Sequence, residues 1–161
     1  MEQKEEKIET QEEEETVEEL FEAPEVETKE PFTVVGFPYH GRNPDHVILN
    51  LWERLDSQTS DIKYKVNAKE TYGVMGSIDP RTGEFDFLVG YEVKKTGKLS
   101  EDLEAWDIPE QTYAVMPCTY AHLAEAVDYI YKFWLPESGY QRGDGLEFEF
   151  YGEGYDRDDE E

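Results

Sequence analysis

Apolar positions along the chain recur with two periods, and the elements follow from them. Val47, Ile48, Leu51, Trp52 and Leu55 keep helical spacing and form one stripe. Asn43-Pro44 ahead of them reads as an N-cap with a first-turn proline, and the polar run Ser57–Asp61 closes the helix. Leu123, Ala126, Val127, Ile130 and Trp134 give a second stripe, with Thr119 placed to cap it and Pro136 and Gly139 to close it. Period-two or β-branched runs predict strands at Phe32–Phe37, Thr71–Ile78, Glu84–Val93, Gln111–Met116 and Leu146–Tyr151. The first of these can begin as early as Val26, with Pro31 confining that part to an edge or a bulge.

Asp79-Pro80-Arg81-Thr82-Gly83 joins two of these strands into a hairpin, its proline early and its glycine last, as a type I turn with a bulge requires. In the second strand Phe85, Phe87, Val89, Tyr91 and Val93 share one face. Ile62–Val66 is weakly strand-like. Pro38–Arg42 reads as a loop. Residues 96–110 read as a polar loop in which Trp106 caps something, because a connection of that length without a role is uncommon.

The last strand carries the candidate chemistry. Leu146, Phe148 and Phe150 point one way, and Glu147, Glu149 and Tyr151 the other. A carboxylate and a phenol then share a face in an aromatic-rich neighbourhood, which suits a flat, greasy cation. The plain alternative is that alternate glutamates keep a solvent-facing strand wet. Energetics favour a charge at such a site. Burying about 200 Å² of ligand apolar surface yields roughly 5 kcal/mol, whereas micromolar affinity takes about 8 kcal/mol net. A carboxylate and one or two cation–π faces, each about 0.5–2 kcal/mol, close that difference.

Thr33-Val34-Val35-Gly36-Phe37-Pro38 is echoed by Thr112-Tyr113-Ala114-Val115-Met116-Pro117, and each stretch precedes a helix carrying a Leu-Trp or Phe-Trp pair. A strand–helix–strand–strand unit used twice accounts for this, with two helices on one face of an antiparallel sheet.

Charge changes the picture at the ends. Of the formal net charge of −25, residues 1–30 carry −11 and residues 156–161 carry −4. Such stretches repel themselves and offer little apolar surface, so both are expected to be solvated tails. Direct nucleic-acid binding is disfavoured, since no basic run exceeds Lys94-Lys95. The single cysteine, Cys118, allows no intrachain disulfide and reads as a buried structural thiol. No signal-peptide core follows Met1 and no apolar run reaches membrane-spanning length, so a cytoplasmic setting without membrane contact is expected. His40, His46 and His122 show no metal-ligand spacing, and no phosphate loop or nucleophile elbow is present. No metal and no cofactor is expected.

Taken in order, Phe32–Gly36, the helix with Leu51-Trp52, Tyr72-Gly73-Val74, Phe85–Val93, Trp106-Asp107-Ile108-Pro109, Tyr113-Ala114-Val115, Trp134-Leu135-Pro136 with Ser138-Gly139-Tyr140, and Phe148-Glu149 with Tyr151 resemble the GyrI-like small-molecule-binding family, the effector-binding domain of AraC-type regulators. The resemblance implies an α+β fold, a duplicated β-α-β-β module whose concave antiparallel sheet carries a ligand cleft between two helices. It implies hydrophobic, often cationic, small-molecule ligands, with an acid at the position of Glu149 as charge partner. Some members carry DNA-binding domains, one bacterial member inhibits DNA gyrase, and a subset hydrolyses cyclopropane-bearing natural products. Here an acidic tail stands where a DNA-binding domain would be, so a stand-alone module is expected: residues 1–25 as acidic tail, 26–155 as effector-binding domain, 156–161 as a second tail.

The leading expectation is therefore a non-enzymatic binding module, a receptor or sequestering protein. Glu149 supplies the charge, and Tyr72, Phe87, Trp106, Tyr113 and Tyr151 supply aromatic walls. Trp52 and Trp134, on helical stripes, read as core. A hydrolase opening strained electrophiles, with Glu149 and Tyr113 or Tyr151 in acid–base roles, is the alternative. A third reading is an acidic protein inhibitor of a DNA-handling enzyme.

Overall fold

The computed structural model describes residues 23–42, 47–143 and 145–152. Both expected tails lie mostly outside these, as do Asn43-Pro44 and the helix cap expected there. The described chain divides into two units, one of residues 29–111 and 145–152, the other of residues 23–28 and 112–143.

In the first unit the strands form an antiparallel sheet. They are β2 (Phe32–Gly41), β3 (Thr71–Ile78), β4 (Phe85–Val93), β5 (Glu104–Ile108) and β7 (Glu147–Tyr151), in the order β5-β2-β4-β3-β7. The helix α1 (Val47–Ser57) lies on one face. Trp52 and Leu55 are buried there against Val35, Phe37, Phe87, Val89, Tyr91 and Val93, the odd-numbered residues of β2 and β4. The opposite face gathers Val34, Tyr72, Val74, Leu88 and Ile108, with Phe32, Trp106, Leu146 and Phe148 against them. Side chains alternate along strands, so register alone decides this division.

The hairpin forms as expected. Gly83 takes a left-handed φ of 77°, its N–H donating to the Asp79 carbonyl at 2.8 Å, while the Asp79 side chain accepts from the Arg81 N–H. The register shifts between Met75 and Ile78. At the centre of the sheet Gly36 faces Gly90. A Cβ on Gly36 would lie 1.8 Å from the Val89 carbonyl oxygen, and one on Gly90 2.1 Å from that of Val35. Only two glycines let these strands approach so closely.

Three expectations for this unit are corrected. β2 continues through Pro38 to Gly41 instead of yielding to a loop. Ile62–Val66 contributes only an isolated bridge, Lys65 to Val93. Residues 104–108 are not loop but β5, an edge strand paired with β2, and Trp106 belongs to it. Polar residues at Glu104 and Asp107 hid a strand that needs apolar neighbours on one face only.

In the second unit β1 (Glu25–Lys29) pairs with β6 (Gln111–Val115), their ends reaching the unit boundary, and Thr28 and Thr112 share a 2.9 Å hydroxyl hydrogen bond. The break at Glu30-Pro31 separates β1 from β2, as the proline predicts. A helical stretch follows, comprising a 3-10 turn (Tyr120–His122), α2 (Leu123–Tyr129), a π segment (Ile130–Trp134) and α3 (Leu135–Ser138). It passes through Pro136 and ends where Gly139 turns left-handed at φ 82°. The π segment, in which the Leu135 N–H donates to Ile130, absorbs a proline that a regular helix interior would not. Ala126 of the predicted stripe is buried but Val127 is 41% exposed, both of them ahead of the π segment. The Thr119 hydroxyl caps nothing; it is buried without a hydrogen bond. Cys118 is exposed, not buried as expected. Among the described residues no helix is long and apolar enough to cross a membrane.

The architecture is thus α+β, with a mostly antiparallel sheet and two main helical segments. The first unit runs strand–helix–strand–strand through β2, α1, β3 and β4. The second repeat supplies a strand and a helix, then β7; no further strand follows among the described residues.

Candidate functional site

β7 forms where the sequence predicts, and its pairing with β3 sets what each side chain meets. Gly73 stands opposite Glu149, Tyr72 opposite Phe150 and Thr71 opposite Tyr151. Glu149 and Tyr151 therefore point to the α1 face, where Tyr151 joins the cluster built on Trp52 and Phe87. The Trp52 and Tyr151 rings meet edge to face, with centroids 5.1 Å apart and planes at 83°. The Tyr151 hydroxyl donates to Oε2 of Glu149 at 2.5 Å.

Around Gly73 these groups converge. A Cβ built there would lie 2.9 Å from Cζ of Phe87, 3.1 Å from Cζ2 of Trp52 and 3.3 Å from Oε2 of Glu149. Burial among these rings raises the Glu149 carboxyl above the ordinary carboxylate range, and the Tyr151 hydrogen bond offsets part of that rise. Among the described residues no Lys or Arg pairs with Glu149. The protein thus holds an acid in a partly dehydrated, ring-lined place, and no basic side chain of the described residues neutralises it. Such a group either accepts a proton or attracts a cation.

The register divides the other expected wall residues. Phe87 and Tyr151 accompany Glu149. Tyr72 and Trp106 do not: both lie on the opposite face of the sheet. There Tyr72 belongs to an aromatic cluster with Phe32, Phe148 and Phe150, at centroid distances of 5.2–5.6 Å. Its hydroxyl reaches Glu92 at 3.5 Å, and burial, together with that carboxylate, pushes the phenol well above its usual value. Trp106 donates its indole N–H to Glu104 at 3.1 Å. Tyr113 stands half-buried on β6, in the other unit.

Two residues gain importance that the sequence did not assign. Trp52 was a core residue on a helical stripe; it is buried, and it also presents its edge to the acid's neighbours. Gly73 was legible only as a glycine inside a strand, a pattern that signals a close approach without saying what approaches.

Outside this site His40 bridges two acids, with Nδ1 2.6 Å from Asp86 and Nε2 3.3 Å from Glu84. The carboxylates sit at opposite edges of the ring, so no common point serves a metal. Among the described residues no group of three His, Cys, Asp or Glu side chains is arranged to hold one. His46 lies outside them.

Comparison with known proteins adds the following. Residues 25–161 match the family model Cass2, described as integron-associated effector binding protein. The transcriptional regulator BrlR of Pseudomonas aeruginosa is 33% identical over 122 residues, covering 74% of this chain but only 44% of that protein. The integron cassette protein VCH_CASS2 from the mobile metagenome of Vibrio cholerae superimposes with a TM-score of 0.60 at 20% identity, over 81% of this chain and 89% of that one. SAV2435, solved bound to tetraphenylphosphonium, superimposes with a TM-score of 0.64 at 13% identity, over 84% and 86%. These last two likenesses are of fold.

Proposed function

The chain belongs to the family of integron-associated effector-binding proteins, within the GyrI-like fold, and from that premise we propose that it binds hydrophobic small-molecule cations, with Glu149 as the charge partner. One observation carries the reading: the Glu149 carboxylate is drawn among Trp52, Phe87 and Tyr151 with no basic side chain of the described residues to neutralise it. A weakly hydrated cation supplies the missing charge at small desolvation cost and gains wherever it lies over a ring face. That SAV2435 was solved with tetraphenylphosphonium supports the choice of probe.

Titrating tryptophan fluorescence with tetraphenylphosphonium and lipophilic cationic dyes tests the reading. Saturable binding that weakens about tenfold or more in Glu149→Gln is expected, since a charge-assisted contact contributes about 1.5–3 kcal/mol. Equal affinity in that variant overturns it.

A second reading, hydrolysis of strained electrophilic compounds, draws on the same carboxyl. A carboxyl raised by burial, beside a phenol, is placed for acid–base work. Incubation with cyclopropane-bearing electrophiles, followed by mass spectrometry, separates the two. A water-adduct product lost in Glu149→Gln supports turnover; an unchanged panel retires it.

A further inference from the structure

The groups of the acidic site meet at a position without a side chain. Gly73 lies inside β3, opposite Glu149, and its φ is outside the left-handed region, so its backbone does not demand glycine. The demand is spatial. Phe87 and Trp52 are 4% and 5% exposed and wedged between α1 and the sheet. The carboxylate, half-buried at the end of a flexible side chain, is the member of the trio with somewhere to go.

We propose that Gly73 is the positioning residue of this site, leaving the space into which the Glu149 carboxylate settles beside the Trp52 and Phe87 edges, and that it thereby sets the site's preference for weakly hydrated cations. The inference rests on Glu149 being the ligand's charge partner, although its first readout does not. A methyl at position 73 falls 3.3 Å from Oε2 and closer still to both rings. Phe87 has to give where the methyl meets Cζ, and the carboxylate, the least tightly held of the three, swings outward and regains water. A dehydrated acid favours a cation that sheds water cheaply, such as a tetra-aryl onium, over a compact primary ammonium that keeps its shell. Once the acid is rehydrated, both cations meet it through water and the preference collapses.

The test compares four proteins: wild type, Gly73→Ala, Phe87→Leu and the double variant. Leucine at 87 removes the Cζ atom that approaches position 73 most closely. The carboxyl of Glu149 is titrated by carbon-13 NMR, and affinities are measured for tetraphenylphosphonium and for hexylammonium. In Gly73→Ala the titration midpoint moves down toward the ordinary carboxylate value, and the ratio of the two affinities falls about tenfold. The double variant, whose methyl still falls 3.3 Å from Oε2 but no longer meets Cζ of Phe87, shows the same two falls relative to Phe87→Leu. An unmoved midpoint and ratio in Gly73→Ala, or in the double variant relative to Phe87→Leu, overturn the proposal. Should Gly73→Ala fail to fold, Phe87→Leu against the double variant reads the same displacement with room for the methyl. A wild type that binds neither cation removes the charge-partner reading, while the midpoint still decides whether Gly73 positions the acid.

Discussion

Tyr151 donates its hydroxyl to Glu149 from two residues further along the same strand, at 2.5 Å. The pairing follows from the period of β7, which puts both side chains on the α1 face. It means that this hydrogen-bond donor travels with the acid on the same strand. Burial raises the carboxyl and this bond partly lowers it, so two opposed effects act on the site, burial being the larger.

Tyr151→Phe removes the lowering effect and keeps the ring. The Glu149 carboxyl is expected to titrate at still higher pH, and affinity for tetraphenylphosphonium near neutral pH to fall about tenfold. Carbon-13 NMR and fluorescence titration check the pair of changes; an unaltered carboxyl titration contradicts the role given to the hydroxyl.

Stability should depend on pH through Glu149. Its native carboxyl titrates above the unfolded value, so the folded state holds a proton that the unfolded chain has already released. The stabilisation is complete below the ordinary carboxylate value and is lost as pH rises through the raised native one. Glu149→Gln lacks this loss. Its melting temperature should therefore exceed that of the wild type by a margin that widens from about pH 4 upward and then levels off. Cation affinity of the wild type should rise across the same window.

Gly90→Ala should be severely destabilising, since its methyl would meet the Val35 carbonyl at 2.1 Å and the Gly36 Cα at 2.8 Å, both backbone. Overpacking against a strand that cannot shift alone costs about 3 kcal/mol or more. Urea denaturation measures it, and a loss under about 1 kcal/mol would show that the central strands can part.

Leu55 and Val127 both occupy apolar stripes in the sequence, yet Leu55 is 0% and Val127 41% exposed. Leu55→Ala should cost about 2–5 kcal/mol, and Val127→Ala about 0.5 kcal/mol or less. Comparable losses in urea denaturation would contradict the difference in burial between these two positions.

Much of the architecture is legible in the sequence. The α1 stripe, the Asp79–Gly83 hairpin and the alternation of β7 are local patterns, and local patterns survive folding when they agree with it. β5 was missed because an edge strand with Glu104 and Asp107 carries no apolar run. Thr119 was given a cap it does not form, and Cys118 a burial it does not have, because both judgements depend on neighbours distant in sequence.

The amino-acid order by itself determined that Glu149 and Tyr151 share a face, since two residues along a strand is a fixed geometric relation. It also determined that rings would be plentiful near them. Only the tertiary structure decided which rings. The pairings of β3 with β7 and β4 brought Phe87 and Trp52 to the acid and left Tyr72 on the far face, where the pairing of β5 with β2 also puts Trp106. Strand register is set by long-range packing, and shifting it by one residue exchanges the two faces, so no reading of a single strand can choose between them.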